Sequence, residues 1–563
     1  MPATHEVTNQ PPPLLPYDVF TADAALVAAV RRHGGAHAQA RLSALGRLAG
    51  SPEAAQWAWE ADRNPPVLRT HDRYGRRVDE VDFHPSWHRL LQVATEHGLA
   101  GGAWAAEDPA RHVVRAAGFL VWSQVEAGHG CPASMTHAAV PALRADRDLA
   151  PDLAATWLPR LTATAYDPGL RPAGQKAGCL AGMGMTEKQG GSDVAANTTR
   201  ARPAGGGGYL LTGHKWFCSA PMSDLFLVLA QAPEGLTCFL LPRVLPDGTR
   251  NTFRIQRLKD KLGNRANASA EIELEDSVAW RLGPEGRGVR TIITMVAMTR
   301  LDCVLGSAAL QRRALTEALH HATHRRAFGR LLRDQPLMRA VLADLALESE
   351  AATVLGLRLA AAVDAAGVLL SGSDGAGPAD RQEAALLRLA LPAAKYWVCK
   401  RTPPAVAEAL ECLGGNGYVE ESGLPRLYRE APVNSIWEGS GNVNALDVLR
   451  ALRREPQARE ALHAELAAAR GGDPRLDAAV RDLAGRLDAV GTAADEVAQA
   501  GARELAERIA VTLQAALLVR HAPAAVADAF CATRLGPGSG RAFGTLPGAV
   551  DTAALLDRAG PPG

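Results

Sequence analysis

Hydrophobic positions recur at helical spacing through residues 24–32 and 38–48, and no strand-like alternation breaks the stretch from about 23 to 170. Near residue 180 the pattern changes. Short apolar or alternating runs at 209–212, 225–230, 237–241 and 270–275 are divided by the Gly- and Pro-bearing stretches 205–208, 246–248 and 263–264. This spacing predicts antiparallel strands joined by turns. Beyond 288 helical periodicity returns in long segments, 289–324, 335–366 and 381–413, with a Gly/Ser/Asp/Ala/Pro-rich mobile loop expected at 371–378. From 451 onward further helices are predicted at 456–469, 476–490, 493–519 and 524–533, ahead of an irregular Gly/Pro-rich tail from 535. Pro11, Pro12, Pro13 and Pro16 make the first 20 residues an extended arm. The chain thus divides into an arm (1–20), an N-terminal helical domain (21–180), a β domain (181–288), a helix-bundle domain (289–450) and a C-terminal helical extension (451–563). The fold class is α+β, mainly α.

Composition narrows the setting. With 563 residues the chain can bury a large core, and a net charge of +1 with a pI near 7.7 gives no global signal for a polyanion partner. The 8 cysteines are scattered with no C-x-x-C, which predicts neither a disulfide framework nor a metal site and fits a reducing cytosol. Residues 1–10 lack the apolar stretch of a secretory signal, and Arg358 and Asp364 interrupt the best membrane-length apolar run. The expectation is a soluble cytoplasmic protein with no membrane partner.

Four segments carry candidate chemistry. Ile436-Trp437-Glu438-Gly439-Ser440-Gly441-Asn442 sets one carboxylate between an aromatic ring and a Gly-Ser-Gly loop. Held against apolar and backbone surroundings, such a carboxylate is placed to act as a base with a raised pKa; alone, the segment reads more readily as a surface Glu before a Gly-rich turn. Residues 185–193, with Met185, Thr186, Gly191 and Ser192, offer backbone N–H groups and short hydroxyls to a polar ring edge or an anion, as would many Gly-Gly-Ser-Asp turns. Residues 213–219 bring Trp216, Phe217, Cys218 and Ser219, either an aromatic face for a planar group or ordinary strand packing. Arg325, Arg326 and Phe328, with Gln335 beyond, suit a pyrophosphate or simply a basic helix end.

Together with Leu413-Gly414-Gly415-Asn416-Gly417-Tyr418, these segments stand in the order and spacing of the acyl-CoA dehydrogenase family, which the chain resembles over roughly residues 60–450. The resemblance is closer to the AidB-like branch, through 184–199 (GMTEKQGGSDVAANTT), 257–268 (RLKDKLGNRANA), 426–430 (RLYRE), 432–442 (PVNSIWEGSGN) and 68–85 (LRTHDRYGRRVDEVDFHP). It implies FAD between the β domain and the second helical domain. Met185, Thr186, Gly191, Ser192, Phe217, Cys218 and Ser219 would hold the flavin, with Trp437, Gly439, Ser440 and Asn442 around it. Arg325, Phe328, Gln335, Gly414 and Gly415 would take the pyrophosphate–adenosine half across a subunit contact, implying a homotetramer. Glu438 would take the α-proton of an acyl-CoA thioester. The chain departs from the family pattern in Trp437 (usually Tyr), Lys188 (usually Pro) and an Arg325–Gln335 spacing one residue short.

The resemblance leaves two functions. One is an AidB-like flavoprotein of the DNA alkylation-damage response that binds double-stranded DNA, with weak dehydrogenase activity. The other is a working short- or branched-chain acyl-CoA dehydrogenase with no DNA role. Residues 451–563 hold 13 Arg, no Lys and 14 acidic residues, so a phosphate-binding face requires a local cluster. Arg450, Arg453 and Arg454, on one helical face, with Arg520 and Arg534, are the candidates.

Overall fold

In a computed structural model the chain is described over residues 4–370, 377–536 and 541–560, the side chains of 368–370 left aside. The loop expected at 371–378 therefore lies, but for its last two residues, outside the described residues.

The N-terminal third is built from helices α1 (Ala24–Arg32), α2 (Gln39–Ala49) and α3 (Pro52–Arg63), a hairpin β1 (Val67–His71) and β2 (Arg77–Asp82), then α4 (Pro85–Glu96), α5 (Arg111–Ser123), α6 (Gly130–Arg144) and α7 (Pro151–Leu161). Local chemistry sets the helix starts. Asp23 accepts the Leu26 N–H ahead of α1, and Ser51 accepts the Ala54 N–H ahead of α3, whose first residue is Pro52. The β1–β2 hairpin corrects the expectation that this region is purely helical. β1 alternates only between exposed and half-buried positions, and the one buried residue of β2 is the charged Asp79, so the sequence signal is faint. What holds it is tertiary: the Asp79 carboxylate accepts the Ile255 N–H at 2.9 Å, and the Arg77 guanidinium donates to the Ile255 carbonyl at 3.1 Å.

The β domain holds β3 (Ala181–Gly184), β4 (Arg200–Pro203), β5 (Gly208–Ser219), β6 (Leu225–Ala232), β7 (Gly235–Pro242), β8 (Phe253–Leu258) and β9 (Ser269–Leu282). Pairing runs β3-β6-β4-β5-β9-β7 and closes through β6–β7, with β8 on β9. The ladders are antiparallel except β3 and β4 on β6, which are parallel. Leu211, Phe226, Phe239, Phe253 and Ile272 fill the interior. Of these strands β3, β4 and β8 lie outside the runs read from the sequence; β8 alternates only over residues 253–256, too short a stretch to stand out.

The long helices α8 (Gly288–His324), α9 (Pro336–Leu370) and α10 (Pro378–Glu411) form the bundle, with a short hairpin β10 (Arg326–Ala327) and β11 (Arg330–Leu331) between the first two. By length and hydropathy α8 meets the requirement for a membrane span, but Arg300 and Asp302 interrupt it and its apolar residues are largely buried within the protein. Then come α11 (Gly415–Tyr418), α12 (Leu424–Glu430), α13 (Gly441–Arg454), α14 (Pro456–Ala467), α15 (Pro474–Thr492), α16 (Asp495–His521), α17 (Ala524–Phe530) and α18 (Thr552–Ala559). Helix α18 lies in the stretch expected to be irregular. Only Leu555, Leu556 and Ala559 are buried there, and Arg558 pairs with Glu350 of α9 at 2.8 Å. One continuous apolar core joins both helical regions and one edge of the β domain.

Candidate active site

Glu438 sits between the short helical turn 431–435 and α13 with φ +57°, a conformation costly for a side chain bearing a Cβ. Two buried cations, Lys395 and Arg300, and the half-buried Arg388 hold it there or brace its neighbours. Lys395 of α10 donates to the Trp437 carbonyl at 2.8 Å and the Gly439 carbonyl at 2.5 Å. Arg300 of α8 donates to Glu438's own carbonyl at 3.0 Å, and Asp447 of α13 fixes that guanidinium at 2.6 Å. Arg388 completes the set by binding Asp447 at 3.0 Å. Gly439 follows at φ +97°, where a Cβ would meet Val443 at 3.0 Å.

The carboxylate accepts the Thr299 hydroxyl at 2.6 Å. Burial pushes its pKa above the ordinary range, and the Thr299 bond, Lys395 and Arg300 pull the other way without cancelling the rise. Glu438 borders a cavity of about 50 Å³ shared with Phe119, Cys131, Met135, Thr299 and Trp437. Cys131 of α6 ties this cavity to the β domain: its thiol, pushed up to about 12 by burial, interacts with Glu438, Lys261, Ser219 and Asn267.

On the β-domain side the Trp216 N–H bonds the Thr186 carbonyl at 2.8 Å, so the 185–192 loop and β5 run together. Met185 and Thr186 are half-buried, Gly191 and Ser192 exposed, and Phe217 is 50% exposed. Gly191 lies against Thr186, whose Oγ1 would be 2.4 Å from a Cβ there. The Lys259 ammonium stands over the Trp216 ring at 3.3 Å and the Phe217 ring at 4.7 Å. Cys218 departs from its expected place: a bulge between 215 and 218 turns its side chain into the sheet interior, fully buried, so only its backbone is available to a ligand.

The loop hangs on a group that the sequence reading left without a role. Glu187 and Lys215 form a fully buried pair at 2.8 Å. Glu187 also accepts the Thr198 N–H at 2.6 Å, the Thr198 hydroxyl at 2.9 Å and the Thr199 N–H at 3.1 Å. Burial raises the Glu187 pKa, but Lys215 and these bonds outweigh it and hold the carboxyl down at about 2.

Arg325, Phe328, Gln335, Gly414 and Gly415 make a second group, none of which borders the Glu438 cavity. Arg325 donates to the Asn9 carbonyl of the N-terminal arm at 2.7 Å, and Gln335 to the Ala327 carbonyl at 3.0 Å. Phe328, at φ +50° on the β10–β11 turn, is 99% exposed. Gly414 (φ +59°) and Gly415 have open space around them. Ser440 precedes α13, and Asn442 accepts Arg503 at 3.4 Å.

Family models for the acyl-CoA dehydrogenase middle and C-terminal domains match residues 182–277 and 286–453, and one for the "Adaptive response protein AidB N-terminal domain" matches 9–168. The putative acyl-CoA dehydrogenase AidB of Escherichia coli is 46% identical over 535 residues, 94% of each chain. This chain belongs to the acyl-CoA dehydrogenase family. Within it the AidB branch is the place that both the N-terminal match and the Escherichia coli relative give. Acyl-CoA dehydrogenase family member 11 of Caenorhabditis elegans is 34% identical over 69% of this chain and 63% of its own. The structure of Caenorhabditis elegans ACDH-11 in complex with C11-CoA superposes with a TM-score of 0.84, at 27% identity, over 99% of this chain and 96% of that one.

The arginines expected to meet DNA are mostly engaged. Arg534 is the clearest departure: it is largely buried, bonded to Asp344 at 2.5 Å and Glu348 at 3.1 Å, and is not offered to a phosphate. Arg520 pairs with Glu465 at 3.0 Å and Arg453 with Asp495 at 2.5 Å. Arg450 is exposed and shares Asp447 with Arg300 and Arg388. Arg454 is exposed, with no ion-pair partner among the described residues.

Proposed function

We propose that the chain is an FAD-dependent oxidoreductase that desaturates a short acyl-CoA thioester, with Glu438 as the base. The observation that carries this reading is the Glu438 carboxylate, held in a strained backbone conformation on the wall of a small, largely apolar cavity. The donor set suits FAD: the half-buried Thr186 and exposed Ser192 offer hydroxyls, and the half-exposed Phe217 offers a ring face. FAD, when bound, accepts the β-hydrogen of the substrate as hydride. Glu438 takes the α-proton onto a carboxylate oxygen, Thr299 orients that carboxylate, and the apolar wall excludes water. Phe328, Leu337 and Tyr418, all more than 80% exposed, support assembly with further copies, by resemblance a homotetramer. Eight unpaired cysteines support a cytoplasmic setting.

The pH profile tests this assignment. Flavin reduction by thioester rises with pH through a single titration above the usual carboxylate value of about 4.3, because Glu438 must be ionised to act. Thr299→Val removes a bond that favours the ionised form, and moves that titration upward. A profile that is flat, or unmoved in Thr299→Val, assigns the proton to another group.

A second reading adds duplex DNA binding in the alkylation-damage response. It is supported by exposed Arg450 and Arg454 near the end of α13 and by the adaptive-response description of the matched N-terminal model. Arg450→Glu combined with Arg454→Glu then weakens DNA binding and lowers the salt slope by about 0.9 for each lost phosphate contact. Equal affinity and slope in a filter-binding or anisotropy titration remove α13 from the DNA surface.

A further inference from the structure

The wall of the Glu438 cavity is more polar than a hydrocarbon chain needs. On the scale where one water requires roughly 10–15 Å³, its approximately 50 Å³ takes only a few non-hydrogen atoms. Ser123 of α5 and Ser134 of α6 border it, and neither hydroxyl has a hydrogen-bond partner among the described residues. Asn434 borders it too. Its Oδ1 accepts the Trp437 indole N–H at 3.0 Å. An indole only donates, so the carboxamide orientation is fixed and Nδ2 is left without a partner among the described residues.

The carboxyl groups on the same wall are already engaged. Asp302 is held by the buried Arg115 guanidinium, with one of its bonds at 2.8 Å. Glu430 accepts the Asn264 N–H at 2.6 Å and its side-chain amide at 2.8 Å. Burial and the nearby Glu126 also push Glu430 up to about 7. What remains are three neutral donors bordering the space without a hydrogen-bond partner among the described residues.

We propose that the cavity selects a short acyl chain bearing an uncharged oxygen, a hydroxyl or carbonyl, held by Ser123, Ser134 and Asn434; this rests on the acyl-thioester reading above. A plain alkyl chain of the same length leaves the donors unpaired. A terminal carboxylate is disfavoured because the lining places the Glu438 carboxyl there and no cation to pair with it.

The test compares butyryl-CoA, 4-hydroxybutyryl-CoA and glutaryl-CoA on purified FAD-loaded protein, reading dissociation constants from the shift of the flavin spectrum and reduction from its bleaching. The hydroxylated thioester binds at least about tenfold more tightly than butyryl-CoA, and glutaryl-CoA more weakly than either. Ser123→Ala and Ser134→Ala, each made separately and checked for retained flavin, shrink the hydroxyl preference toward unity. Equal or tighter binding of butyryl-CoA, a preference untouched in both variants, or no binding of any of the three overturns the proposal. A hydroxyl preference in binding without bleaching by any thioester supports the proposal and overturns the dehydrogenase reading instead.

Discussion

Glu438→Gln lowers the rate of acyl-CoA-driven flavin reduction by about 10³-fold or more, within the range a positioned general base supplies, while FAD stays bound. The amide is nearly isosteric and keeps an oxygen for the Thr299 hydroxyl, now 2.6 Å from the carboxylate. The backbone restraints from Lys395 and Arg300 act on carbonyls and do not depend on the side chain. Position is therefore retained and the proton acceptor is lost. Anaerobic stopped-flow absorbance of the holoprotein, with flavin content measured in parallel, separates the two. A variant that reduces its flavin at the wild-type rate transfers the base role elsewhere.

Lys215→Met destabilises the protein by about 3–5 kcal/mol, the usual cost of leaving one member of a buried ion pair alone. Glu187 has no exposure to water and no other cation at bonding distance among the described residues. Since its folded pKa is held at about 2, below the ordinary glutamate value of 4.5, the pair's contribution is present above about pH 4.5 and is lost as pH falls toward 2. In Lys215→Met that acid limb flattens. The 185–192 loop is anchored through the same carboxylate, so flavin retention falls with stability. Glu187→Gln in the Lys215→Met background removes the stranded charge and recovers part of both. Denaturant midpoints across pH, with flavin content, give the check; wild-type stability in the single variant shows that Lys215 contributes no net stabilisation.

The helices were legible for two reasons: α1 keeps one apolar face of helical period, while α8 is a long apolar segment buried around most of its surface, and both fall within a residue of their sequence-read ends. The central strands were legible where a short alternating or wholly apolar run met a turn, as at β5 and β6. Where tertiary bonds replace periodicity, the sequence is silent: β1–β2 leans on the Ile255 backbone, and α18 has only three buried residues. The site divides along the same line. Glu438 is conspicuous because Trp437, Gly439 and Gly441 surround it locally. Thr299, Arg300, Lys395 and Asp447, which set its conformation and charge, come from three helices and are ordinary residues where they stand in the chain. Two signals were available for Lys215 and Lys395: Lys occurs only seven times among 61 basic residues, and both positions fall within apolar stretches. Arg534 and Cys218 show the opposite error, since spacing alone does not say whether a guanidinium meets two carboxylates or a thiol turns into the sheet.

The most direct measurement is anaerobic titration of the purified FAD-loaded protein with short-chain acyl-CoAs, following the flavin's visible absorbance. Bleaching by at least one short thioester in wild type, and by none in Glu438→Gln, is the predicted result. A wild-type flavin that stays oxidised with every thioester, or one that bleaches equally in the variant, contradicts Glu438-dependent desaturation.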